Sequence, residues 1–129
     1  MSKPRVHKPK ADGARVRAQK WGRWAESLAA LHLRLRGYRI LARNYKTPVG
    51  ELDVVAKRGR VICFVEVKAR PIQAQALEAV SSKQCGRIQR AAELFLIHHP
   101  SLQVFDIRFD VALVSGLLQF KHVRDAWRP

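Results

Sequence analysis

Trp21, Trp24, Leu28, Leu31 and Leu35 follow one another at steps of three and four, which predicts a helix with one apolar stripe and Gly37 as its stop. Residues 38–44 have strand-like content, and Thr47-Pro48-Val49-Gly50 reads as a loop. Residues 51–56 and 61–67 are rich in Val, Ile and Phe and flank Lys57-Arg58-Gly59-Arg60, so they read as a hairpin. Ser81 with Gln84 three positions later forms a capping-box pattern for a second long helix, with Val80, Gln84, Ile88, Ala91 and Phe95 as its inward stripe and Pro100 as its end. Phe105, Ile107, Phe109, Val111 and Leu113 alternate with other residues, the mark of a strand with one buried face. Residues 118–123 make a last strand after a turn at Ser115-Gly116. The predicted order is α-β-β-β-α-β-β: an α/β domain with a central mixed β-sheet flanked by helices.

At 129 residues and 47% hydrophobic content the chain supports one domain with a core. Residues 1–20 stand apart. They carry seven basic residues against Asp12, with Pro4, Pro9 and Gly13 as breakers, and read as a flexible basic arm before a domain at 21–129. The net charge is +15, of which +9 remains in the 109 residues after that arm, so the body is basic in its own right. Such an excess points to a polyanionic partner, nucleic acid above all. No run approaches a membrane span, and no apolar stretch follows the basic N-terminus as a secretory signal would require. Two cysteines, Cys63 and Cys85, exclude a disulfide scaffold or a Cys-rich zinc site and fit a reducing cytoplasm.

With only ten acids in the chain, their placement is informative. Glu51, Asp53 and Glu66 fall in the two most apolar strands, and Lys68 follows Glu66 by two. Alternation puts Glu51 with Asp53 on one face, and Glu66 with Lys68. A hairpin loop of two or four residues, with Ala56 opposite Val61, would bring all four to the same face and set Asp53 diagonal to Glu66. A three-residue loop would break that parity. Carboxylates converging in this way repel one another and are costly to desolvate. A divalent cation such as Mg²⁺ (or Mn²⁺), which takes oxygen ligands and keeps room for water and phosphate, removes the conflict. Lys68 could then position and help deprotonate a metal-bound water, or stabilise the charge of the phosphorane. The alternative is a solvated cross-strand ion pair.

Asp53, then Glu66-Val67-Lys68, resembles the PD-(D/E)XK nuclease signature, with Leu52 where the proline of that signature stands. The longer strings Gly50-Glu51-Leu52-Asp53-Val54-Val55-Ala56 and Phe64-Val65-Glu66-Val67-Lys68-Ala69-Arg70 resemble the bacterial YraN family of endonuclease-like proteins, which is similar to archaeal Holliday junction resolvases. Gly22, Glu26, Ala29, Gly37-Tyr38, Asn44-Tyr45, Lys83, Arg87-Ile88 and Arg108-Phe109-Asp110-Val111 support the match. The resemblance implies a restriction-endonuclease-like fold. It implies that Asp53, Glu66 and the backbone carbonyl of Val67 hold the metal, that Lys68 is the catalytic lysine, and that Glu26 is the helix-borne acid beside it. Glu51 is open between metal ligand, supporting group and partner for Arg70. Periodicity alone sets Glu26 nearly opposite the Trp21–Leu35 stripe.

Further nucleic-acid-binding candidates are the row Lys83, Arg87 and Arg90 on the second helix, Arg70 continuing the face of Lys68, and Gln84 within the inward stripe. His98-His99 lacks zinc spacing, and Asp106, Arg108 and Asp110 read as a salt-bridged strand surface. The function expected is a DNA-binding, metal-dependent endonuclease, cytoplasmic or nucleoid-associated, with DNA favoured over RNA. The preference for branched or structured substrate, and the homodimer that two cuts would need, rest on the resemblance alone. The alternative is a nucleic-acid-binding module with a nuclease fold and no independent activity. Deleting residues 1–20 is expected to weaken DNA binding and flatten its salt dependence; an unchanged slope would place the arm off the phosphates.

Overall fold

The computed structural model describes residues 8–129, with side chains from Gly22 onward except that of residue 77. One helix on each face encloses a five-stranded sheet of order β1-β2-β3-β4-β5. The elements are α1 (Lys8–Leu35), β1 (Arg39–Thr47), β2 (Gly50–Arg58), β3 (Val61–Lys68), α2 (Ser82–His98), β4 (Asp106–Val114) and β5 (Phe120–Trp127). Short 3₁₀ turns lie at Leu77–Ala79 and Pro100–Leu102. β3 and β4 pair in parallel, with α2 as their crossover, and every other pair is antiparallel. The order and the mixed sheet are those the sequence predicts. Among the described residues no helix is long and apolar enough to cross a membrane. The first seven residues of the basic arm lie outside the described residues; from Lys8 on, the arm's backbone belongs to α1.

Local chemistry explains the boundaries. Gly37 adopts φ +89°, and the N–H groups of Tyr38 and Gly37 close onto the carbonyls of Leu33 and Arg34, the Schellman pattern that ends α1. Ser81 Oγ accepts the N–H of Gln84, and the Gln84 side chain accepts the N–H of Ser81, completing the expected capping box. A two-residue turn, Gly59-Arg60, joins β2 to β3. Gly59 supplies φ +61° there.

Three expectations are corrected. The face of α1 that meets the sheet is Ala25, Leu28, Ala29 and Leu33, whereas Trp24, Leu31 and Leu35 are 44%, 46% and 74% exposed. Alanines let the helix axis approach the sheet closely, and the positions of the large apolar residues alone select the wrong side. The Trp21 side chain lies outside those described. Second, β4 is covered on both faces from Phe109 onward, so Asp106 stays on the surface and Arg108 is half-buried, but Asp110 is not a surface residue. Asp110 is fully buried; its carboxylate accepts from Arg108 Nε and Nη2 at 2.9 Å, His122 Nε2 at 2.7 Å and the Asp125 N–H at 2.9 Å. Third, the last strand runs on to Trp127, and Leu117 and Leu118 stay exposed in the preceding turn.

Burial alone would push Asp110 towards its neutral form. The donors from His122, Arg108 and Asp125 outweigh that, and the carboxyl is held below its usual range. A depressed folded value stabilises the fold above the unfolded-chain pKa, and that stability is lost as pH falls below about 4. Asp110→Asn, which keeps the shape but leaves Arg108 without its countercharge, is expected to cost about 3–5 kcal/mol in denaturant melts at pH 7. The deficit should shrink on acidification below pH 4; one that stays constant would refute the electrostatic account.

Candidate active site

The register of the β2–β3 hairpin sets the site. Val54 faces Val65 and Arg58 faces Val61, so Ala56 lies opposite Cys63 rather than Val61. This shifts the expected pairing by one residue on each strand and preserves its parity. Continued one step past Val54↔Val65, the register would place Asp53 directly opposite Glu66. The regular pairing stops before that step. There Asp53 Oδ2 accepts the N–H of Val67 at 2.9 Å, so a carboxylate takes over from the backbone as the link between the strands.

Strict alternation also breaks at this point. Tyr45 and Leu52 pair and belong to the α2 layer, where the Tyr45 ring meets Phe95 edge-on at 5.0 Å. Arg43 and Val54 pair and belong to the α1 layer, where Arg43 Nη2 donates to Ser27 Oγ at 2.8 Å. Between them Asn44 adopts φ +51°, a left-handed conformation that Asn tolerates. The strand pair turns over at Asn44 and Asp53, and Asp53 is thereby within reach of both layers.

Glu26 comes from α1. It shares the steps Glu26, Ala29, Leu33 with the sheet-facing side, so the corrected orientation of α1 points it inward. Asp53 lies close enough to both Glu26 and Glu66 for its carboxylate to raise the proton affinity of each. Lys68 Nζ lies 3.6 Å from Glu66 Oε2, and both side chains are mostly buried. Glu26 Oε1 is buried with no hydrogen-bond partner. Burial, then the charge of Asp53, then their shared hydrogen bond push Glu26 up to about 7, with Arg43 opposing. The same three causes, in the same order, push Glu66 up to about 8 against the pull of Lys68. Burial, with little positive charge nearby to offset it, favours the protonated form of both glutamates.

A cation would supply it. Among the described residues no three His, Cys, Asp or Glu side chains form a ready-made metal cage. The donor set that fits is smaller: Asp53, Glu66 and the carbonyl of Val67, the hard oxygen ligands that Mg²⁺ takes with water and phosphate. The orphaned Glu26 oxygen beside them supports that fit.

Two clefts open on the cluster. One, of about 260 Å³, is lined by Gly50, Glu51, Asp53, Glu66, Gln84, Arg87 and Ile88. α2 approaches closely here: a Cβ on Gly50 would sit 3.4 Å from the Cβ and carbonyl oxygen of Arg87. The other, of about 560 Å³, is lined by Gly22, Arg23, Glu26, Asn44, Lys46 and Glu51. Glu51 is exposed and borders both. Gln84 both caps α2, as the capping-box pattern predicts, and lines the first cleft. Of the basic row only Arg87 lines either cleft; Lys83 and Arg90 are exposed along α2. Arg70 does not continue the face of Lys68, because β3 ends at Lys68; its Nη1 donates to the Ala69 carbonyl. Arg23, Arg43 and Lys46 were missed by sequence reasoning. Their signal, single cations beside apolar runs, does not differ from that of any solvated base.

The raised carboxyls make a pH prediction. A folded value above the unfolded one means the native state holds the extra proton, so metal-free stability falls as pH rises from about 5 to 8. In EDTA the melting temperature of wild type should drop across that range, and Glu66→Gln should remove most of the drop. A flat wild-type profile would show that the carboxylates ionise freely.

The family model of the uncharacterised protein family UPF0102 matches residues 25–114, which contain every member of the cluster. A UPF0102 protein of Parvibaculum lavamentivorans is 44% identical over 126 residues, 98% of this chain and 95% of its own length. One from Paramagnetospirillum magneticum is 47% identical over 115 residues (86% and 89%), and one from Rhodopseudomonas palustris 49% over 109 (84% of each). Family model and relatives agree over most of the chain, which therefore belongs to the UPF0102 family, the YraN proteins.

Proposed function

We propose that the protein is a metal-dependent endonuclease that binds DNA in preference to RNA and hydrolyses phosphodiester bonds, with branched or structured DNA as the favoured substrate. One observation carries this reading: Glu26, Asp53 and Glu66 converge with Lys68 at the open end of a hairpin, in a chain of net charge +15. Such a body attracts a phosphate backbone and the acids then require a cation between themselves and it. When bound, Mg²⁺ (or Mn²⁺) supplies Lewis-acid polarisation of the phosphate and a more acidic water.

The chain's own residues do the rest. Asp53 and Glu66 present oxygens to the cation, and the Val67 N–H holds Asp53 in position at 2.9 Å. Lys68, fixed beside Glu66, places an ammonium where charge develops on the phosphoryl oxygens. Glu26 closes the cluster from the helix side and keeps Asp53 oriented. Arg87, at the cleft wall, offers a guanidinium to the backbone of the strand being cut. Contacts of this kind are to phosphate, so affinity should fall steeply with salt.

The test is cleavage of junction, flap, single-stranded and duplex DNA with Mg²⁺, using wild type, Asp53→Ala and Lys68→Ala. Each substitution is expected to lower kcat by about 10²–10³, the loss typical of one electrostatic group in such a site. Cleavage that survives both would come from a contaminant and sink the enzyme reading. Tight binding without cleavage of any substrate would leave a nucleic-acid-binding module.

A further inference from the structure

A second concentration of charge lies at the far end of β2. Arg36, Arg58, Lys121 and Arg124 line a pocket of about 430 Å³ together with Tyr38, Phe120 and His122, and no acid lines it. Arg58 is five residues along β2 from Asp53, roughly 16 Å at strand rise, so this pocket is separate from the acidic cluster.

Four cations around one hollow repel one another, and among the described residues none of the four makes an ion pair. Two of them are nonetheless held in place. The Arg36 guanidinium sits over the Phe120 ring at 4.8 Å, and that of Arg58 over the Tyr38 ring at 4.5 Å. Arg58 Nη1 also donates to the Arg36 carbonyl at 3.0 Å. The rings are anchored in turn: His32 stacks on Phe120 at 4.5 Å, and the Tyr38 hydroxyl accepts from Arg108 of the buried Asp110 network. His122 forms part of the wall and is fixed by Asp110 at 2.7 Å. Carbonyls of the last turn of α1, which would repel an anion, are occupied by the N–H groups of Arg36, Gly37 and Tyr38. Each guanidinium has five donors and few of them are spent. Fixed guanidinium groups with unspent donors and no countercharge match the oxygens of a phosphate.

We propose that this pocket is a second, non-catalytic phosphate site that holds a backbone phosphate of the nucleic-acid strand while the acidic cluster acts about five base pairs of duplex away. The proposal rests on the nucleic-acid reading above. It gives the protein two anchoring points on one substrate, with the scissile bond at only one of them.

The test uses the full chain in EDTA, so that no cleavage intervenes. Binding of labelled duplex DNA is followed by anisotropy across a salt series for wild type, Arg58→Gln/Arg124→Gln, and Arg60→Gln as a control outside the pocket. The double variant is expected to bind about tenfold more weakly at 0.1 M salt, and its salt slope should be shallower by about 0.9 for each phosphate that is no longer neutralised. A double variant that tracks Arg60→Gln would overturn the proposal. Lys121→Gln, an exposed single change, should show a smaller effect in the same direction and covers the case of a poorly folded double variant. Calorimetry with pyrophosphate separates the pocket from the polymer: wild type should take it up and the double variant should not. No uptake by wild type overturns the pocket itself. Arginine-dependent uptake without DNA binding overturns the nucleic-acid reading and leaves the anion site.

Discussion

The two-residue turn at Gly59-Arg60 is the constraint on which the rest of the molecule depends. It fixes the register of β2 against β3, and side chains on a strand repeat every two residues, so it decides which groups can meet. With this register Asp53 arrives opposite Glu66 just where regular pairing ends. A loop one residue longer would have moved Asp53 out of step with Glu66 along the hairpin. The β3–β4 parallel pair and its α2 crossover then bring Gln84 and Arg87 over the same end of the sheet.

The site is built from conflict that the fold sustains elsewhere. Carboxylates from α1, β2 and β3 share one small volume, and their burial and mutual repulsion raise two of them far above the ordinary carboxylate range. Asp110 is the contrast. It is fully buried, yet Arg108, His122 and the Asp125 N–H hold it ionised. One acidic group is fully satisfied and tightens β4 against β5. The others are left short of positive charge. Burial thus gives a satisfied structural ion in one place and carboxyls short of positive charge in the other.

Much of this was legible in the chain because local signals determine it. The element order, the capping box at Ser81 and the stop at Gly37 follow from residue types at short spacing. Asp53, Glu66 and Lys68 were conspicuous because acids are scarce in so basic a sequence. Two features misled. The largest apolar residues of α1, Trp24, Leu31 and Leu35, face outward, because alanines pack closer to a sheet than leucines or tryptophans do. Arg108 and Asp110 alternate as surface residues would, and nothing in β4 itself announces that β5 and Tyr38 close over them.

The sequence by itself determined an α/β chain of fixed element order, a large excess of basic charge and a set of acids on one hairpin. These depend on spacing, caps and composition, which act over a few residues. Only the tertiary structure decided that Glu26 points at Asp53, that the strands turn over at Asn44, that Arg87 reaches the cleft while Arg70 does not, and that Arg36, Arg58, Lys121 and Arg124 gather in one hollow. Each of these depends on how close and at what angle distant elements pack. That is set by the summed volumes of a shared core, and no local pattern encodes it.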